Sequence, residues 1–292
     1  MNKSYKVLIP YLFLVPAGII LMLFFFIPFF ESFLLSFQSY RDNIYHPQWI
    51  GLANYTELIN SPIFWKTLLN TFIYLIGVVP VLVVIPLIIA VAVNQKLRGI
   101  TIFRTLIYIP VIVSIVVAGI AWKWLYASNG ILNYFMSLIH SPQIGWLTDP
   151  NIAIYSVMAV TIWKGLGYYM VIYMAALTAV PKDLYEAADI DGAGEFIKHL
   201  TVTVPSVRPT IALVSIISSI SAMKVFVEIY VMTQGGPMNS SKTIVYYIYQ
   251  RAFENLDLGY ASAAGVVLLG IIMVLSIINM KFFEEKNMGG IA

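Results

Sequence analysis

Few residues in this chain of 292 could do chemistry, and their types narrow the options quickly. There is no cysteine, which excludes disulfides, thiolate metal sites and cysteine nucleophiles. The three histidines, His46, His140 and His199, are scattered without the paired spacing of a metal site. No GxxxxGK[ST] loop is present to cradle a nucleotide's phosphates, and no Ser-His-Asp arrangement can be drawn within the apolar runs. The sequence therefore offers neither catalytic nor metal-ligating residues. Two other groups stand out. One is the polar stretch 181–205; the other is a set of ionisable residues inside apolar runs: Glu31, Lys123, Lys164, Lys224 and Glu228.

The stretch 181–205 carries Lys182, Asp183, Glu186, Asp189, Asp191, Glu195, Lys198 and His199. Pro181 suits the first turn of a helix, and Leu184, Ala187, Ala188 and Ile190 form its short apolar stripe. Gly192 and Gly194 then break it, and Phe196, Ile197 and Leu200 begin a second short helix toward Pro205. This pattern fits a connector resting on the lipid interface as well as it fits a docking element. Ionisable residues inside membrane helices are costly and default to function. Glu31 and Lys123 lie near enough to an interface to snorkel. Lys164 falls near the middle of its run. Lys224 and Glu228 are four apart, a spacing that puts them on one helical face. They could pair, with or without Lys164, or line a polar cavity.

The elements that must position these residues are membrane helices. The chain is 60% apolar and 11% charged, with a mean hydropathy of +0.85, whereas soluble domains are about a quarter charged. Six runs reach the roughly 20 residues that a span requires: about 10–37, 68–94, 105–127, 152–178, 210–232 and 260–282. The first is too long for a signal peptide and is read as an uncleaved span. Lysine and arginine fix the orientation. With the N-terminus inside, the inner segments hold Lys3, Lys6, Lys96, Arg98, Arg104, Lys182, Lys198, Arg208, Lys281 and Lys286. The outer ones hold only Arg41, Lys66, Lys242 and Arg251. Trp122, Trp124 and Tyr126 suit an interfacial belt. Ile244, Ile248 and Ala252 suggest a short helix lying on the outer surface. The expected fold is all-α, a polytopic membrane protein of about six transmembrane helices.

The run Glu186-Ala187-Ala188, three residues, Gly192, nine residues, then Val202-Thr203-Val204-Pro205 resembles the EAA signature of ABC importer permeases, with Val in place of Ile and Leu. The longer string from Tyr185 to Ala193 resembles the maltose-type, carbohydrate-importing branch. So do three other stretches: Asn54-Tyr55 with Phe64-Trp65-Lys66 and Asn70-Thr71; Trp163, Gly165 and Gly167 through Ala175-Ala176-Leu177 to Pro181; and Phe226 through Glu228 and Thr233 to Gly235-Gly236-Pro237. The resemblance implies a type I ABC importer permease fold. Residues 1–66 would be a first helix and connection, 67–283 a five-helix core with a coupling loop at 181–205, and 284–292 a cytoplasmic tail. Glu186, Ala187, Ala188, Asp191 and Gly192 would couple to an ATPase. Thr161, Lys164, Gly165, Tyr168, Ser221, Lys224 and Val225 would face the substrate pathway, beside Ala222. The asparagines of a maltose-specific pocket are absent from those positions, so the solute stays open.

The same resemblance implies the assembly: a second homologous permease, two cytoplasmic ATPase subunits and an extracytoplasmic solute-binding protein in a bacterial cytoplasmic membrane. This chain would bind no cofactor, ATP and magnesium belonging to the ATPase, and no nucleic acid. The alternatives are a stand-alone secondary transporter or channel, or an importer for a non-sugar solute such as a glycerol-phosphate compound.

Overall fold

A computed structural model describes residues 13–41, 46–95 and 98–288, with side chains to 282. Lys3, Lys6 and Lys96, used above for orientation, lie outside the described residues. The chain divides into two compact units, one from Met1–Ser61 and Ile248–Leu269, the other from Pro62–Tyr247 and Gly270–Ala292. Among the described residues four helices are long and apolar enough to cross a membrane, or up to six if two sharply bent pairs each count as one span.

In the first unit, α1 (Phe13–Leu35) includes a π-helical turn at Met22–Phe26 and has no buried residue over its apolar length. A helix apolar on all sides needs lipid around it. The connection after it is ordered by a two-residue antiparallel ladder, β1 (Gln38–Ser39) with β2 (Gln48–Trp49), and by α2 (Ala53–Asn60). The buried Asn54 amide donates to the carbonyls of Ser36 and Gln38, both at 2.9 Å. Arg41 donates to both oxygens of Glu57 and to Oδ2 of Asp257, at 2.7 to 3.0 Å. These carboxylates, Asp257 first, raise the guanidinium pKa further above its already high value. Asp257 is 7% exposed at its side chain, while Arg41 is 46% exposed. Removing Arg41 leaves the buried carboxylate only the weaker contact with Arg251, at 4.0 Å, and the half-exposed site is screened by water. Arg41→Ala is therefore expected to cost about 1–2 kcal/mol, well below the price of a fully buried pair. Thermal unfolding in detergent checks this, with Glu57→Gln expected to cost less.

The second unit is organised on α3 (Pro62–Val93), which packs against α7 (Ala153–Thr178) and α10 (Arg208–Met223). Tyr74, Val78 and Leu82 of α3 and Val157, Val160 and Tyr173 of α7 are core residues. Pro80 and Pro86 lie inside α3 without breaking it. Two expected continuous spans do break. Residues 105–127 fall into α4 (Ile100–Ile112) and α5 (Ile115–Leu125), which meet at 98°. Pro110 supplies no N–H to the last turn of α4, and Val113 and Ser114 are extended, with ψ of 133° and 136°. Residues 210–232 form a helix only to Met223; the chain resumes as α11 (Val227–Met232).

Between α5 and α7, α6 (Ile131–Leu138) is secured by Asn133, whose amide donates to the carbonyls of Ala127 and Ile144. The expected surface helix near residue 244 is α12 (Ile244–Tyr249), and it is not on the surface. Ile244, Tyr246 and Tyr247 are buried, and the Ile244 amide donates to Thr71 Oγ1 at 2.9 Å. Tyr126 likewise leaves the expected aromatic belt: it is buried and donates to the Ser156 carbonyl, whereas Trp124 is 75% exposed. The last helix, α13, runs Leu258–Met288.

Candidate functional site

A cavity of about 350 Å³ opens among α3, α7 and α10. Helical periodicity explains its lining. Thr161, Lys164, Gly165 and Tyr168 fall at i, i+3, i+4 and i+7, one face of α7. Ser218, Ser221, Ala222 and Val225 repeat that spacing on α10 and just past its end. Tyr74, Val78 and Leu82 line it from α3, and Glu228 from α11. The Thr161 hydroxyl shares a short hydrogen bond with the Tyr74 hydroxyl and donates a long one, 3.4 Å, to Glu228 Oε1. The result is a largely apolar wall that carries several hydroxyls, one carboxylate and the edge-to-face ring pair Tyr168–Tyr169, centroids 5.1 Å apart. Such a surface can hydrogen-bond a polyhydroxylated solute and cover its apolar face.

Six of the seven residues expected on the pathway therefore share this cavity: Thr161, Lys164, Gly165, Tyr168, Ser221 and Val225. Lys224 does not. It ends α10, is exposed, and lines an adjoining opening with Phe226 and Glu228. Because the helix stops there, four-residue spacing no longer places Lys224 and Glu228 on one face, and among the described residues no ion pair joins them. Among the described residues Lys164 pairs with no carboxylate either. Its ammonium donates to the carbonyls of Pro110, Val111 and Val113 at 3.2, 3.1 and 2.6 Å. Tyr74, Tyr169 and Ser218 were not singled out from sequence. Tyr74 is one of 19 tyrosines, and its depth in α3 has no local signature.

The loop that follows α7 is ordered within itself and open on its outer side. Pro181 precedes α8 (Lys182–Ile190), and α9 (Glu195–Ser206), including a π-helical turn at His199–Thr203, follows the turn. Gly192 makes that turn at φ +74°, a conformation that L side chains avoid. Asp191 and Gly192 donate their amides back to Ala187 and Asp189. Lys198 bonds Asp189 at 2.7 Å and also Glu195, and the two carboxylates, Asp189 first, raise its pKa. Tyr185 and His199 both meet the Thr203 hydroxyl. No residue of α8 is buried; Glu186 and Ala187 are exposed and Ala188 half-exposed. Ile190 and Phe196 are 87% and 74% exposed. A carboxylate beside small and apolar groups on a self-braced helix pair is a surface suited to a groove with a basic residue.

Residues 49–286 match the family described as binding-protein-dependent transport system inner membrane component. The arabinooligosaccharides transport system permease protein AraP of Bacillus subtilis is 36% identical over 280 residues, 93% of this chain and 87% of that one. The lactose transport system permease protein LacF of Rhizobium radiobacter is 33% identical over 292 residues, 98% and 97% of the two chains. A chain in the crystal structure of a bacterial ABC transporter involved in the import of the acidic polysaccharide alginate superposes with a TM-score of 0.86. It is 23% identical, covering 97% of this chain and 99% of that one, a likeness of fold. The helices that wall the cavity and the loop that joins two of them thus sit in a known framework, and the chain belongs to the family of binding-protein-dependent transport system inner membrane components.

Proposed function

We propose that this chain is the permease subunit of an ATP-driven importer and forms half of the translocation pathway for a sugar or oligosaccharide. One observation carries the reading: α7 and α10, which bracket the loop 181–205, also wall the hydroxyl-bearing cavity. A push on the loop is a push on the pathway. Glu186, Ala187, Ala188, Asp191 and Gly192 form the surface that seats in a cytoplasmic ATPase subunit. Thr161, Tyr168 and Ser221 offer hydroxyls to the solute, Gly165 and Val225 leave it room, and Lys224 stands at the adjoining opening. The solute class takes support from the relatives named for arabinooligosaccharides and lactose.

In this reading residues 1–66 are an accessory helix and outer connection, 67–283 the transporting core, and 284–292 a cytoplasmic tail; both termini lie inside. A second permease, two ATPase subunits that hold ATP and magnesium, and an extracytoplasmic binding protein complete the assembly. Reconstituted with them in proteoliposomes, the chain is expected to support saccharide uptake that requires ATP and stops with vanadate. Uptake driven by an ion gradient without ATP would replace this reading with a stand-alone carrier. ATP-driven uptake confined to glycerol phosphate would keep the importer and change the solute.

A further inference from the structure

A lysine ammonium has three N–H donors. Lys164 directs them at three carbonyls, those of Pro110, Val111 and Val113. None is left for a solute or for Glu228. The three acceptors are the ones a broken helix exposes. The last carbonyls of α4 have no partner further along the helix, and the dipole there is negative. One turn along the same face of α7, Gly167 lies against the backbone of α4: a Cβ there would overlap the Ile107 carbonyl oxygen and come within 2.9 Å of Tyr108 Cα. So α7 holds α4 twice, by a charge at its broken end and by backbone contact beside it. Val111, whose carbonyl the ammonium holds, is the α4 residue that lines the cavity.

We propose that Lys164 is a positioning residue: its ammonium clamps the end of α4 to α7 and fixes the bend between α4 and α5. This rests on the reading above, because α7 leads directly into the loop 181–205. Displacing that loop moves α7, and the clamp carries α4 and its part of the cavity wall along. Lys164 thereby transmits movement and does not bind solute.

The chain has no cysteine, so paired spin labels can be introduced without background. Labels at the exposed Ile102 and Trp124 report the bend, and labels at Ile76 and Val171 report the packing of α3 on α7. In the full chain in nanodiscs, Lys164→Met is expected to broaden the Ile102–Trp124 distance distribution and leave Ile76–Val171 unchanged. An unaltered Ile102–Trp124 distribution overturns the proposal. Should Lys164→Met disturb the reference pair too, Lys164→Gln, which lacks the charge, one donor and one bond of reach, is expected to broaden Ile102–Trp124 alone, and an unaltered distribution there overturns the proposal. In the reconstituted transporter, Lys164→Met is expected to lower the maximal uptake rate about tenfold at an unchanged half-saturating solute concentration. A raised half-saturating concentration at an unchanged maximal rate makes Lys164 a solute ligand and also overturns the proposal. If the wild-type assembly shows no ATP-driven uptake, the transport reading fails, and the spin-label measurement still decides the clamp.

Discussion

Gly192→Pro is expected to abolish uptake while the chain still inserts into the membrane. Proline fixes φ near −65°, and Gly192 stands at +74°, so the turn between α8 and α9 cannot form. The substitution also deletes the amide that donates to the Asp189 carbonyl at 3.1 Å. Nothing lies within 4 Å of the position a Cβ would take, so the damage comes from the backbone and not from crowding. The transmembrane helices do not depend on that turn. Glu186→Arg tests the same surface with little effect on the fold, because the side chain is exposed on a helix with no buried residue. Placing a cation where a basic partner residue is expected costs several kcal/mol, roughly a hundredfold or more in productive association. ATP-dependent uptake and co-purification with the ATPase should fall together in both variants. Undiminished uptake in either removes the loop from the coupling role.

The second large effect concerns Gly167. Gly167→Ala forces a methyl group into the Ile107 carbonyl, with Tyr108 Cα and Val111 Cγ2 both 2.9 Å away. Two of these three neighbours are backbone atoms, so relief requires α4 to move away from α7. Overpacking of this kind costs about 1–3 kcal/mol, and more where no side chain can rotate aside. Gly167→Leu should prevent folding of the core altogether. Gly270→Ala on α13 is the control, since nothing lies within 4 Å of its added Cβ. The control is expected to be neutral or slightly stabilising, because alanine favours the helix over glycine. Unfolding temperatures of the purified variants decide this, and equal values for the two alanine variants would mean that α4 and α7 are not in backbone contact.

Hydropathy alone locates the six apolar runs, because burying a 20-residue helix in lipid is a local property of composition. The breaks are a different matter. Pro80 and Pro86 sit inside a helix that continues, whereas Pro110 precedes a 98° turn. The turn beyond Pro110 is stabilised by donors from Lys164, more than 50 residues away, and no window along the sequence contains both. The same limit explains Lys224 and Glu228. Their spacing reads as a pair only if the helix runs through them, and it stops at Met223. Thr161, Gly165 and Tyr168 of α7 were reached only through the family resemblance, and they share one face with Lys164 because a helix with no break preserves its register. The loop was accessible directly: charges and glycines among apolar runs announce a segment that lipid cannot hold. Tyr126 and Ile244 were misplaced because an aromatic or aliphatic residue near a span end suits lipid, interface or protein equally.

At 1.5 Å per residue the apolar part of α3, Leu68 to Val93, extends about 39 Å, against roughly 30 Å of hydrocarbon. The 23 residues of α1 extend about 35 Å, close to that thickness. A helix with neighbours packed along it cannot tilt freely to hide the excess, whereas one with no buried residue along its apolar length is less constrained. Hydrophobic mismatch therefore falls on α3 and on the helices it holds. Thinner or thicker membranes should alter the geometry of the cavity before they disturb α1, so the acyl-chain length of the host lipid becomes a control on transport that no pathway residue encodes.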